Sequence, residues 1–412
     1  MTMEQTGAST QLLRRMNTEK VLRFALHTGV FNASDVIEST GLTRSTAIGL
    51  CDLLSELGWI TRLDDARAAG EYSKGRPARR FELRASAGFV IGVDAGEHSA
   101  TVEVADLRGR VLGRVRRSFG EARRDAVVRV SVMTAAIEAA LSETAVPRAS
   151  VLVTVFGVPA PTDETGHSPS GEGGFWGQMN PDLVGAFAGY GRVIVENDAN
   201  LAAVAEQAVG AGRGIRSFAA LLSGERFGAG LIIDDTLLRG HHGGAGEMRV
   251  LGLVEGVGSA DGLAALAREL AQSVRRSATL PASSPLALLA PDEVTAEAVL
   301  AAAATGDPAS REILSLLGDR LARVCLVLAS ILDIERVIVG GAIAVAAGPV
   351  IARALAVLEQ NPSLPVPEIV ASPLGADAVV LGAIQRGLAM VRSSPLGFVP
   401  APEAVAVPPL SA

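Results

Sequence analysis

Three polar residues that end a short apolar run carry the most chemistry in this sequence. Glu196, Asn197 and Asp198 follow the β-branched run Val193–Val195, which is typical of a buried strand, and precede an alanine-rich segment, 199–208, which is typical of a helix. In layered α/β folds, ligands bind just outside the carboxyl ends of strands, and a carboxylate there can accept a proton from a bound hydroxyl. Asn197 and Asp198 could equally cap the helix that follows, so the residue types alone leave both interpretations open.

The order of the residues in this stretch helps to choose between a functional site and a helix cap. Val195-Glu196-Asn197-Asp198-Ala199-Asn200 resembles the motif of the ROK family, which groups sugar kinases with sugar-responsive repressors. In that family the Asp of the motif is the base that deprotonates a sugar hydroxyl, and the neighbouring Asn holds the sugar. The resemblance therefore implies these roles for the positions of Asp198 and Asn197.

Two further positions are implied in the same way. Gly243-Gly244-Ala245-Gly246-Glu247 resembles the family's sugar-contact segment, in which the Glu binds sugar hydroxyls. Asp261 is expected where the family has another sugar-binding Glu. The resemblance thus predicts an effector site made by the following four residues: Asn197, Asp198, Glu247 and Asp261.

Both segments that should cradle ATP phosphates depart from the family pattern. Asp94-Ala95-Gly96-Glu97-His98 stands where the family has Asp-x-Gly-Gly-Thr, whose small residues let the backbone approach phosphate. In the second loop, Glu225 and Arg226 replace Thr and Gly, and Arg226 is the cation expected beside Glu225. We predict that Asp198 is a vestigial base, that the chain has no catalytic residues, and that it needs no cofactor.

The family's zinc site is also missing from the sequence. Met248-Arg249-Val250 stands where the family reads Ile-Gly-His, and no cysteine occurs between positions 240 and 270. A zinc site needs about four nitrogen or sulfur ligands at close spacing. We therefore predict no metal site, and interpret His241 and His242 as solvated or effector-contacting residues. Trp176, in a glycine-rich loop, is predicted to plug the surface rather than to stack on a sugar.

The first 85 residues have the pattern of a winged helix-turn-helix. Two apolar-striped segments are separated by Gly41, and a hairpin is predicted from Trp59–Leu63 and Arg80–Leu83. The segment Gly75–Phe81 resembles the wing of ROK repressors. An alternative is a winged helix used only for protein contacts. The residues expected to contact DNA, at the start of the third helix and on the wing, are Thr43, Arg44, Ser45, Thr46, Lys74, Arg76 and Arg79.

Composition fits a nucleic-acid-binding head joined to a ligand-binding body. Of 412 residues, 49% are hydrophobic, which suits a large α/β core, and the two cysteines, Cys51 and Cys325, read as buried thiols. The net charge is −7, yet the first 90 residues carry a small basic excess. No signal peptide is evident, and the apolar run Val324–Leu332 is too short to span a bilayer, so we expect a cytoplasmic protein without a membrane segment.

The predicted fold class is α/β: a winged helix-turn-helix followed by a two-lobed, actin-like (ribonuclease H-like) body. The predicted domains are residues 1–85 for the head, 86–200 with 376–392 for the first lobe, 201–375 for the second lobe, and 393–412 for a proline-rich flexible tail.

The functional expectation is a transcriptional regulator, most simply a repressor. It would bind double-stranded operator DNA as a homodimer or homotetramer, and a small-molecule effector, a sugar or sugar derivative, would control it. Two alternatives remain: an ATP-dependent sugar kinase with a DNA-binding head, supported by Asp198, and a repressor that senses no ligand, supported by the loss of His at Val250.

Overall fold

The computed structural model describes residues 3–63, 79–169, 174–277, 280–291, 293–360 and 366–402. Three separate β-sheets organise the chain, one small sheet near the N-terminus and two five-stranded sheets in the body. Cys51 and Cys325 are buried and unbridged, as predicted. Within the described ranges, no helix combines the length and apolar character needed to cross a bilayer.

The N-terminal unit is the predicted winged helix-turn-helix. Its elements are α1 (Met3–His27), β1 (Phe31–Asn32), α2 (Ala33–Thr40), α3 (Arg44–Glu56), β2 (Ile60–Leu63) and β3 (Arg80–Leu83). Asn32 caps α2 and Gly41, at φ +72°, ends it, while the Thr43 side chain caps α3. β2 and β3 form the expected antiparallel hairpin. Residues 64–78, which include Lys74 and Arg76, lie outside the described residues.

The first lobe is a five-stranded sheet covered by helices on both faces. Its strands are β4 (Phe89–Ala95), β5 (Ser99–Asp106), β6 (Val111–Ser118), β7 (Val151–Val158) and β8 (Arg192–Asn197), in the order β6-β5-β4-β7-β8. β7 and β8 run parallel to β4, whereas β5 and β6 alternate in direction. Between the strands lie the helices α4 (Ala126–Glu143), α5 (Phe175–Met179) and α6 (Leu183–Ala186). All eight residues of β7 are buried, as expected for a strand covered on both faces.

The second lobe repeats this connectivity. Its strands are β9 (Phe218–Ser223), β10 (Phe227–Ile233), β11 (Thr236–Leu238), β12 (Arg336–Gly340) and β13 (Glu368–Ala371), in the order β11-β10-β9-β12-β13. Its helices are α8 (Leu263–Arg276), α9 (Pro285–Leu288), α10 (Ala296–Ala304), α11 (Pro308–Leu332) and α12 (Gly348–Leu358). Two sheets of the same topology therefore form the body, which is the two-lobed architecture predicted from the sequence.

A pair of tightly packed helices joins the two lobes. α7 (Asp198–Val209) packs against α13 (Ala378–Ser393) on one side and against β10 on the other. The approach is so close that a Cβ on Gly382 would lie 1.9 Å from the Leu201 carbonyl oxygen, and one on Gly230 would lie 2.0 Å from the Ala199 carbonyl oxygen. Because α7 begins at Asp198, this packing fixes the position of that carboxylate between the lobes.

The segment after α13 differs from the predicted flexible tail. The Ala401 amide donates a hydrogen bond to the Ala87 carbonyl oxygen at 2.7 Å, and Arg84 donates to the Pro402 carbonyl oxygen at 3.1 Å. Arg23 of α1 donates to the Ser393 carbonyl oxygen. Residues 393–402 are therefore held against the head and the linker, although their proline content suggested disorder. Residues 403–412 lie outside the described residues.

Candidate functional site

A cavity of about 320 Å³ lies between the two lobes, where strands from both sheets end. Asp94 comes from the end of β4, and Asn197 and Asp198 come from the junction of β8 and α7. Glu247 reaches the cavity from the loop that follows β11 in the second lobe. The two sheets thus bring carboxylates from three separate segments to one opening, as expected at the carboxyl ends of strands in layered α/β folds.

The structure brings together three of the four predicted effector-site residues. Asn197, Asp198 and Glu247 all line the cavity. Asp261 instead lines an adjoining groove, where its carboxylate accepts a hydrogen bond from the Ser259 hydroxyl at 2.6 Å. Asp261 therefore lies outside the cavity that the other three residues line, because the segment 259–261 pairs with Arg226 at the edge of the adjoining groove.

Asn197 is both a helix cap and a residue of the cavity wall. Its Oδ1 accepts a hydrogen bond from the Asn200 amide at 3.1 Å, and its Nδ2 donates to the Ala160 carbonyl oxygen at 3.3 Å. Asp198, the first residue of α7, accepts from the Ala199 amide at 2.8 Å. The capping interpretation of this stretch is therefore correct for Asn197, and it leaves Asp198 facing the cavity at a helix N-terminus.

The pKa values of three carboxyl groups that line the cavity are raised above their ordinary values. Burial, together with the negative charges of Asp94 and Glu247, raises the pKa of Asp198 to about 7. Burial raises the pKa of Asp94 to about 6, and burial also raises the pKa of Glu247. A carboxyl group that titrates near neutral pH can either accept a proton from a bound hydroxyl or donate a hydrogen bond to a ligand oxygen.

The raised pKa of Asp198 predicts a pH-dependent effect of Asp198→Asn on stability. An unfolded Asp ionises near pH 4, whereas Asp198 in the folded chain ionises at about 7. Ionisation therefore penalises the folded state increasingly as the pH rises from about 4 to 7, and fully above 7. We expect Asp198→Asn to stabilise the protein at pH 8 by on the order of 1 to 2 kcal/mol, allowing for solvent at a partly exposed group, and by less at pH 5.

Thermal unfolding of both proteins at pH 5 and pH 8 measures this difference. Asp235→Asn, at an exposed turn of the second lobe, serves as the control. An equal change in stability for Asp198→Asn at both pH values would contradict the raised pKa.

Each loop on the opposite side of the cavity carries a glutamate that is fixed by arginine. Glu97 accepts hydrogen bonds from Arg124 at 2.8 and 3.2 Å and from Arg123 at 3.5 Å. Partial burial would raise the pKa of Glu97, but these arginines lower it overall. Glu225 forms a two-point ion pair with Arg268, at 2.9 and 2.7 Å, which lowers the pKa of Glu225. Its partner is therefore Arg268 rather than the expected Arg226.

The buried side chain of Arg129 also fixes the backbone of the first of these loops, which carries Glu97. The Arg129 guanidinium donates to the carbonyl oxygens of Ala95 at 2.8 Å and Gly96 at 3.0 Å, and it lies 4.3 Å from the centre of the Phe119 ring. These contacts order the backbone just before Glu97, so the glutamate has a fixed position in the cavity wall. This role could not be predicted from local sequence patterns, because Arg129 lies on α4, 34 positions after Ala95.

Two aromatic residues line the cavity, and this position was not predicted for either of them from the sequence. Phe175 and Trp176 line the cavity, so Trp176 is not a plug of the outer surface. Arginines of the second lobe lie over both rings: Arg226 is 5.6 Å from the centre of Phe175, and Arg249 is 4.9 Å from that of Trp176. A tryptophan inside a glycine-rich loop was the only signal in the sequence for this wall.

In the head, five of the seven residues predicted to contact DNA are described by the structure, and they fall into three groups. Arg44 and Ser45 are exposed at the start of α3. The Thr43 hydroxyl caps α3 by accepting from the Thr46 amide at 3.4 Å, and the two threonine hydroxyl oxygens lie 2.9 Å apart. Arg79 lies 3.2 Å from both carboxylate oxygens of Asp52 on α3, which ties the hairpin to that helix.

Comparison with known proteins identifies the class to which this fold and site belong. Residues 90–386 match the ROK family, and the chain belongs to that family. It is 31% identical over 222 residues to the bifunctional enzyme NanE/NanK of Brucella suis, covering 51% of this chain and 40% of the relative. It is 32% identical over 211 residues to a glucokinase of Streptomyces coelicolor, covering 46% of this chain and 65% of the relative. The chain thus spans less than two thirds of the length of these relatives.

Solved structures resemble the chain over different lengths. A ROK family transcriptional regulator, described as a homologue of the E. coli MLC protein, covers 91% of this chain and 96% of its own, with a TM-score of 0.70 and 20% identity. A ROK family glucokinase from Streptomyces griseus, solved with glucose and AMPPNP, covers 73% and 99%, with a TM-score of 0.59 and 26% identity. The chain has the fold of a ROK regulator over nearly its whole length, and its body is similar to ROK sugar kinases.

Proposed function

We propose that this protein is a DNA-binding transcriptional repressor whose kinase-like body senses a sugar or a related small molecule. The observation that carries the proposal is the asymmetry of the cavity. One side keeps Asn197, Asp198 and Glu247 together, while each loop on the other side presents a glutamate fixed by arginine. This arrangement favours a polyhydroxyl ligand and opposes a nucleotide phosphate.

Electrostatics explain why the altered loops disfavour ATP. A carboxylate about 4 Å from a phosphate charge costs roughly 4 kcal/mol at an effective dielectric constant of about 20. Arg124 and Arg268 offset part of the charge of Glu97 and Glu225 and so reduce this cost, but because the glutamates engage both arginines, neither supplies the net positive charge that a phosphate site needs. Arg226 and Arg249, which also line the cavity, lie over the rings of Phe175 and Trp176. Phosphoryl transfer depends almost wholly on positioning and on stabilising this negative charge. Asp198 therefore has no held phosphate toward which it could direct a hydroxyl.

The head supports regulation of DNA. The start of α3, with exposed Arg44 and Ser45, is the end of a recognition helix that enters a major groove. One winged module buries too little surface for tight and selective binding, so we propose a homodimer or homotetramer on a two-fold symmetric site. In such an oligomer, an effector that changes lobe closure would change the spacing of the heads.

A ligand screen tests the sensing half of the proposal. Ionised carboxylates accept charge-assisted hydrogen bonds from sugar hydroxyls, and these bonds are stronger than neutral ones. We expect a thermal-shift screen over neutral sugars and sugar phosphates to give at least one ligand that stabilises the protein and releases it from its operator. If every stabilising ligand leaves DNA binding unchanged, the body does not act as the sensor.

The second candidate function is an ATP-dependent sugar kinase, which the near-neutral pKa of Asp198 favours, because a general base works best with a pKa near the working pH. We expect no sugar-dependent ADP release with Mg-ATP across a panel of hexoses and amino sugars. The S. griseus glucokinase, assayed in parallel, is the positive control. Sugar-dependent turnover that disappears in Asp198→Asn would establish the kinase instead.

A further inference from the structure

The two ligand-side segments of the cavity come from different lobes, and an ion pair between a buried glutamate and a partly exposed arginine joins them. Asn197 ends β8 of the first lobe and Asp198 follows it as the first residue of α7, whereas Glu247 ends the loop 239–247 of the second lobe. Glu196, which is 4% exposed, accepts two hydrogen bonds on Oε2 from Arg239, at 2.9 Å from Nε and 2.7 Å from Nη2. The ion pair therefore connects the residue before Asn197 with the first residue of the loop.

Each member of the pair also orders its own segment. The other oxygen of Glu196 accepts from Nδ2 of Asn200 at 2.9 Å and from the Asn197 amide at 3.2 Å. The Arg239 carbonyl oxygen accepts from the Ala245 amide at 3.0 Å, which closes a turn two residues before Glu247. A continuous chain of hydrogen bonds thus runs from Asn197 through the ion pair to the segment that carries Glu247.

Close steric contacts with both lobes restrict the conformation of the loop 239–247. Gly243 has φ +70°, and a Cβ there would lie 1.8 Å from the carbonyl oxygen of Thr162 in the first lobe. Gly246 has φ +82°, and a Cβ there would lie 1.8 Å from the carbonyl oxygen of Ala229 in the second lobe. The loop is therefore pressed between both lobes, and its glycines are required by close approach as well as by backbone conformation.

A stability role alone explains this pair poorly. The Arg239 side chain is 37% exposed, which weakens its attraction to Glu196, while burying the Glu196 carboxylate costs solvation, so an apolar side chain of similar volume at position 196 would often stabilise a fold as well. Glu196 also has a second cation close by, Arg386 on α13. Burial and the nearby charge of Arg239 lower the pKa of Arg386, while the charge of Glu196 raises it. Unlike apolar packing, a two-point ion pair fixes the relative orientation of its two side chains.

We propose that the Glu196–Arg239 ion pair positions the effector site by holding its two halves, Asn197 with Asp198 and Glu247, in register across the lobes before any ligand binds. Neither Glu196 nor Arg239 lines the cavity, so both are positioning residues that do not contact the ligand. The proposal rests on the proposed function only in taking the cavity as an effector site.

Amide hydrogen exchange in the full-length protein, without ligand or DNA, tests the pair directly. Arg239→Met removes the charge and the two donors, and we expect exchange at residues 240–247 to become at least 10-fold faster. Arg239→Lys keeps the charge without the two-point geometry and should give a smaller increase of 2- to 5-fold. Arg336→Met is the matched control, because Arg336 makes a similar two-point pair with Glu368, at 2.8 and 2.6 Å, at the edge of the second sheet. It should leave exchange at 240–247 unchanged.

Each outcome of this experiment decides the proposal separately from the proposed function. Wild-type exchange at 240–247 in Arg239→Met, with the protein folded, would overturn it. If Arg239→Met does not fold, Arg239→Lys decides instead, since wild-type exchange in that variant would overturn the two-point role. Operator binding of the ligand-free Arg239→Lys protein should match wild type, so a failure to bind DNA in both proteins would count against the regulator and not against the ion pair.

Discussion

Replacing Arg44 with alanine is expected to weaken operator binding by about 10- to 100-fold without unfolding the head. Arg44 is exposed at the start of α3, and no ion pair involving it occurs within the described residues, so its removal leaves the hydrophobic core of the head intact. An arginine that contacts a guanine edge through two hydrogen bonds contributes about 1 to 3 kcal/mol of discrimination between bases. Fluorescence anisotropy with operator and unrelated DNA, at several salt concentrations, measures the loss.

The salt dependence separates two roles for Arg44. If Arg44 contacts a base, the loss should appear on the operator and be small on unrelated DNA. An equal loss on both DNAs, with the salt slope reduced by about 1, would instead mark a phosphate contact. Arg311→Ala, at an exposed position of α11, is the control. Arg76→Ala on the predicted wing should weaken binding mainly at sites with A·T-rich flanks, where the minor groove is narrow.

Asp198→Ala is expected to reduce the affinity for the effector by 100-fold or more and so to abolish ligand-induced release of DNA. Asp198 faces the cavity at the N-terminus of α7, and the negative charges of the other two carboxyl groups, Asp94 and Glu247, both raise its pKa. Each hydrogen bond to a charged group contributes about 1.5 to 3 kcal/mol, and a carboxylate can accept two from neighbouring sugar hydroxyls. Titration of the thermal shift with the ligand found in the screen measures the loss.

Asp261→Ala is the matched control for this prediction. Its carboxylate lies in the adjoining groove and is engaged by Ser259, so we expect the affinity for the effector to change by less than about 3-fold. If Asp261→Ala abolishes the response and Asp198→Ala does not, the effector occupies the groove and the cavity is not the sensor site.

The fold was largely predictable because local signals agreed with one another along the chain. Thr43 and Gly41 mark the ends of helices by their capping chemistry, and both do so in the structure. The strand β8, which ends in Glu196 and Asn197, was predictable from its β-branched run Val193–Val195. The repeated topology of the two body sheets was implied only by the family resemblance, since the strands of the two lobes share no evident repeat in sequence.

The cavity was predictable only where its residues lie in contiguous motifs. Asn197 and Asp198 share one motif and line the cavity together, whereas Asp261, which belongs to no such motif, lines the adjoining groove. The partner of Glu225 is 43 positions away at Arg268, beyond any local pattern, so the adjacent Arg226 was an incorrect expectation. The Glu196–Arg239 pair likewise depends on two lobes meeting, and tertiary contacts of this kind are set by packing and not by sequence spacing.

The most direct test of the regulator is footprinting of the full-length protein on genomic fragments that include its own upstream region, at moderate salt. We expect a protected, nearly two-fold symmetric site, with two half-sites about one helical turn or a multiple of it apart, and loss of protection when the screened effector is added. No protected site at any fragment, together with sugar-dependent ADP release that requires Asp198, would contradict it.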